Sequence, residues 1–152
     1  MKKIVPFIML AVFALTGCQN KNPYAGTYTG TFTFLNYDVL GSLSGNESKT
    51  GKMQFLTNPM TNGLLLYSVI PLTPVTSTQY VSNSAVLDYV TLLLENMGNS
   101  NTVYNSLTEK IKNVAITVDF SGDSVHAEVQ YDIEILSTLA TRITIVKFDG
   151  VK

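Results

Sequence analysis

Apolar and polar residues alternate with period two along most of this chain, and the period changes only once. Over residues 24–35, Thr27, Thr29, Thr31 and Thr33 fall on one face and Tyr28, Phe32 and Phe34 on the other. That alternation predicts a strand with one buried face. Gly26 and Gly30 share the aromatic face, where a missing side chain marks a bend or a close approach. Residues 37–46 are rich in Gly and Ser and read as a loop. Residues 49–56 place Met53 and Phe55 on one side, Lys52 and Gln54 on the other, and Asn62-Gly63 supplies the next turn. Residues 64–70 are apolar on both sides except Ser68, which predicts one strand covered on both faces. Pro71 and Pro74 limit ladder pairing after it, and residues 76–81 read as a short edge strand.

The period changes at Ser84. Val86, Leu87, Val90, Leu93, Leu94 and Met97 recur at three and four residues, which predicts a helix over about 84–97. Ser84 suits its N-cap and Gly98 the position after its end. Period two then returns. Val114, Ile116, Val118 and Phe120 alternate with polar partners. After Gly122-Asp123, so do Val125, Ala127, Val129, Tyr131, Ile133 and Ile135. If Gly122-Asp123 is a two-residue turn, Phe120 faces Val125, Val118 faces Ala127, Ile116 faces Val129 and Asp119 faces His126. The last run, 139–148, puts Ile143 and Ile145 inward and Arg142 and Thr144 outward. The chain is therefore expected to be mainly β. Six to seven antiparallel strands and one inserted helix form either a β-barrel or a strongly curved sheet wrapped on the helix, with the barrel favoured.

The start of the chain is of another kind. Lys2 and Lys3 precede an apolar run over residues 4–15, interrupted by Pro6 and too short to span a bilayer. Leu15-Thr16-Gly17-Cys18 follows. These four residues resemble the lipobox of bacterial lipoproteins: an aliphatic residue, two small residues, then the Cys that is lipidated and becomes the first residue. The resemblance implies a signal peptide over 1–17, a lipidated Cys18 and polar tether over 18–23, and a single domain over 24–152. Gln19 is not Asp, so the inner-membrane retention signal of some lipoproteins is absent, which points to the outer membrane.

A second resemblance lies in Gly26-Thr27-Tyr28, which is similar to the Gly-x-Trp that opens strand one of lipocalin-like (calycin) barrels. It covers about a dozen residues, with Tyr28 where Trp is usual. Those barrels place their main helix after the strands, whereas here it interrupts them. The resemblance implies a small-ligand cavity. Gly26, Tyr28, Gly30, Phe32 and Phe34 are then the candidate wall of an apolar pocket, against the plainer reading that they are core.

Composition narrows the remaining chemistry. Removing residues 1–17 from 152 leaves 135, enough for one core. That segment keeps 8 basic against 11 acidic side chains, a net charge of −3, too weak to imply nucleic acid. Cys18 is the sole Cys, and its lipidation removes disulfide, thiolate and zinc–thiolate chemistry together. His126 is the sole histidine. An Asp119–His126 pair can orient a general base, but no nucleophile is evident, and an exposed ion pair is the expected role. Glu128, Asp132 and Glu134 share a face that can hold a hard cation, though Arg142 is placed to sit opposite. A solvated face is therefore expected, with no metal or cofactor. Asp123-Ser124-Val125 resembles the acceptor for O-glycosylation in some Gram-negative envelopes.

The expected function is non-enzymatic. The leading reading is a lipid-anchored envelope protein holding a small apolar or amphiphilic ligand in its barrel. The alternative is an accessory lipoprotein that binds a protein or glycan partner through its surface.

Overall fold

The computed structural model describes residues 21–82 and 109–152. The expected helix over 84–97 and the lipobox lie outside the described residues. Eight strands follow in order: β1 (Gly26–Tyr37), β2 (Leu43–Thr57), β3 (Leu64–Leu66), β4 (Ile70–Pro74), β5 (Gln79–Ser82), β6 (Glu109–Ser121), β7 (Ser124–Ile135) and β8 (Ala140–Val151). Each pairs antiparallel with the next, and β8 pairs with β1, so the sheet closes into a ring. The expectation of six to seven strands is corrected to eight among the described residues. The missing division falls in residues 64–70, which are two strands joined at Tyr67-Ser68. Leu64, Leu66, Ile70 and Leu72 all point inward, and Leu65 lies half-buried outside. The expected loop over 37–46 is shorter, since β2 begins at Leu43.

Closure places one face of every strand inside. Tyr28, Phe32 and Phe34 from β1 are buried there with Met53, Phe55, Val118, Phe120, Val125, Val129, Val146 and Phe148. Burying a side chain of this size contributes about 1.5–3 kcal/mol, before chain entropy is subtracted. The β6–β7 hairpin has the register expected from counting, with Phe120 opposite Val125, Ile116 opposite Val129 and Asp119 opposite His126. In β8 the expectation is reversed. Thr144, Val146 and Phe148 are buried and face Tyr131, Val129 and Ala127, while Ile143 and Ile145 lie on the outer face. Both faces of β8 carry apolar residues, so its own pattern does not choose between them. The neighbouring strands do.

The strands differ in length, and this shapes the two ends. Among the described residues, β3, β4 and β5 are short and complete the ring at the end where β1 begins. The longer β1, β2, β6, β7 and β8 run on past them toward the β1–β2 and β7–β8 turns. Lys21–Tyr24 lie at the closed end. There Asn22 Nδ2 donates to the Tyr80 hydroxyl at 2.8 Å, and the Tyr24 ring stacks on Phe120 at 4.5 Å.

Candidate functional site

The aromatic wall expected from β1 is the core of the ring. Tyr28, Phe32 and Phe34 are no more than 2% exposed. The Phe32 ring lies 4.5 Å from Phe148, and Tyr28 meets Phe55 edge-on at 5.6 Å. The Tyr28 hydroxyl donates to the Tyr24 carbonyl at 3.1 Å. Burial, then Asp123 and Tyr24, push its pKa up.

Gly26 and Gly30 do not make the room for these rings. A Cβ on Gly30 would stand 2.0 Å from the Asp149 carbonyl oxygen, so this glycine lets β1 and β8 approach. Gly26 lies under the Lys152 side chain. The space for the rings comes from two glycines that the alternation does not single out. Phe32 lies over Gly51, and Phe148 over Gly150, each within 2.6 Å of where a Cβ would stand.

Past the short strands the inner face turns polar. A bulge in β6 between Lys112 and Ala115, with Asn113 at φ 49°, inserts one residue and turns Glu109 and Ile111 to the inner side. Arg142 shares the inner face of β8, where its guanidinium pairs with Glu109. The Arg142 Nε is buried without a hydrogen-bond partner. Nearby, Thr144 Oγ1 donates to Asn36 Oδ1 at 3.0 Å. On β2, Lys49 pairs with Glu47 at 3.0 Å on the same inner side. The expected placement of Arg142 opposite Glu128, Asp132 and Glu134 is thus corrected. Those carboxylates are engaged separately: Glu134 with Lys112 at 2.5 Å, Asp132 with Asn113 at 2.9 Å and Glu128 with Lys147 at 3.6 Å. No group of three or more metal-ligating residues forms among the described residues.

On the outside, a groove of about 590 Å3 opens across β6, β7, β8 and β1 near the closed end. Val151 is its exposed apolar side chain, and Thr29, Ser121 and Ser124 add hydroxyls. Asp119, His126 and Asp149 lie side by side on three strands. His126 neighbours Asp119 as counting predicts, but its imidazole pairs with Asp149, Nδ1 to Oδ1 at 2.6 Å. Asp119 instead accepts a hydrogen bond from Gln79 Nε2 at 2.9 Å. Both His126 and Asp149 are well exposed, so the pair contributes little to stability. Asp149 was missed because its register depends on the β7–β8 turn, which carries no Gly, Asn, Asp or Pro to mark it.

No family model matches the chain, and no curated protein matches it either.

Proposed function

We propose that this chain is a lipid-anchored accessory protein of the bacterial outer membrane, held through Cys18, which binds a protein or glycan partner with its outer surface. The packing of Tyr28, Phe32 and Phe34 carries this reading. A wall that binds a small molecule needs free surface, and these rings have almost none: Tyr28 packs on Phe55 and Phe120, and Phe32 on Phe34 and Phe148. The outer groove is a free concave surface, where Asp149, His126 and Ser124 stand exposed beside Val151. Hydroxyls, carboxylates and an imidazole over apolar atoms suit a polar partner with flat apolar patches. The test is photocrosslinking in intact cells. A photoreactive residue at Ser124 gives a discrete adduct, and one at Thr76, outside the groove, gives none. An anchored chain that yields no adduct at Ser124 contradicts the reading.

A second reading is favoured by one observation. The inner face beyond the short strands holds the Arg142–Glu109 pair with a buried, unpartnered Nε. An amphiphile with an acidic head group supplies the acceptor that Nε lacks. Lipid that co-purifies with the chain, and is lost from Arg142→Leu, supports this alternative.

A further inference from the structure

The β1–β2 and β7–β8 turns stand side by side at the end opposite Lys21, because Tyr37 pairs with Ile143. Leu40 at the tip of the first is 86% exposed, and Leu139 in the second is 71% exposed. Val39, Leu43 and Leu136 around them are also exposed. Exposed apolar residues are ordinary when scattered, and Met60 and Val75 on other turns are of that kind. Leu139 is not ordinary, for a second reason. The Ile135 carbonyl accepts from Thr138 N at 3.2 Å and Leu139 N at 2.8 Å, and the turn then needs a left-handed residue. Leu139 fills that position at φ 57°. The β1–β2 turn puts Gly41 at its own positive φ of 77°, as backbone sterics favour. Leucine at 139 is therefore disfavoured by the backbone and unrewarded by packing. Strain of this sort, kept where it helps nothing in the fold, points to a role for the side chain.

We propose that Leu40 and Leu139 insert into a lipid bilayer. Charge on these turns fits a hydrocarbon phase. Residues 135–141 hold no charged side chain, and residues 37–43 hold only Asp38. Its carboxylate is occupied within the turn, accepting from Leu40 N and Ser42 N, both at 2.9 Å. A protein interface of this size would centre on Trp, Tyr or Arg rather than on Leu and Val. Of the chain outside the described residues, 1–20 join at Lys21, at the other end, and 83–108 rejoin at Glu109, which pairs with Ile135 beside these turns. β1 spans 12 residues between the ends, or about 36 Å of strand, whereas Cys18 lies about 10 Å of extended chain from Lys21. Leu40 and Leu139 therefore stand at the end away from Lys21, where an anchor on Cys18 does not account for their exposure. This proposal goes beyond the groove and does not depend on it.

The chain contains no tryptophan, so Leu139→Trp in the full chain is a single fluorescent reporter. With phosphatidylcholine vesicles its emission shifts to the blue. Lipids brominated on their acyl chains quench it by at least half, and 1 M NaCl leaves both effects unchanged. Adding Leu40→Ser weakens the quenching several-fold. Emission that stays unchanged while the chain attaches through residues 1–20, or quenching that salt removes, overturns the proposal and leaves the tips to a protein partner. A second measurement reads the strain separately. Leu139→Gly raises the melting temperature by about 2–6 °C; a fall removes the argument that leucine is kept there against the fold.

Discussion

Tyr67 begins β3's reversal into β4 at φ 49°, with Ser68 beside it at φ 70°. Neither is a residue that a two-step left-handed turn ordinarily takes, so the sequence reads straight through as one strand. What holds Tyr67 is tertiary: its N–H donates to the Gln54 carbonyl at 2.9 Å and its hydroxyl to the Lys52 carbonyl at 3.0 Å. Burial raises its pKa above the ordinary 10.0. A neutral phenol is thus favoured by folding. Its stabilisation is fully present below pH 10 and is lost as pH rises toward the folded value, because the unfolded chain gives up the proton first. Urea midpoints measured between pH 8 and 12 should fall more steeply for the unaltered chain than for Tyr67→Phe. Parallel curves would mean that the phenol is as free to ionise when folded as when unfolded.

Among the elements, the β6–β7 hairpin is the one most legible in the sequence. Its turn carries Gly122 at φ 59°, the arms alternate without a break over residues 114–120 and 125–135, and slipping either by one residue would expose its apolar set. Asp119 and His126 could therefore be placed as neighbours by counting. β8 was not legible in this way. Ile143 and Ile145 compete with Val146 and Phe148 for the inner face, and the pairing of Val129 with Val146 decides it. The β6 bulge was hidden too, since the polar pair Lys112-Asn113 reads as the approach to a strand beginning at Val114 rather than as an extra residue within one. Yet it is what turns Glu109 inward toward Arg142. The face of β8 can be tested directly. Val146→Asp buries an unpaired charge and should lower stability by roughly 3–5 kcal/mol or abolish folding. Ile145→Asp, on the outer face, should cost under about 1 kcal/mol. Denaturant midpoints of the two variants distinguish the faces, and the reverse order would return β8 to the arrangement that its own pattern suggests.

For the whole molecule, the alternation conveyed a β fold and most of its inner face. It did not convey that, among the described residues, the three short strands complete the ring at the end where β1 begins. That feature produces the gradient along the interior, from stacked Tyr24 and Phe120 at the closed end to Arg142 and Glu109 beyond the short strands. The candidate pocket residues were found as an aromatic row, but a row on one strand does not say whether the opposite wall is empty. Phe120, on β6 and not paired with β1, meets Tyr28 from across the ring, and Phe55 and Phe148 close over the row from the two strands beside it. The central claim, that the ring is packed and the chain binds with its outside, is tested most directly by NMR. The ring resonances of Tyr28, Phe32 and Phe148 are followed while a naphthalene-sized apolar probe is titrated into the folded chain. A packed interior leaves all three unmoved at saturating probe. Saturable shifts of Phe32 and Phe148 together would show a ligand between the rings and contradict the account.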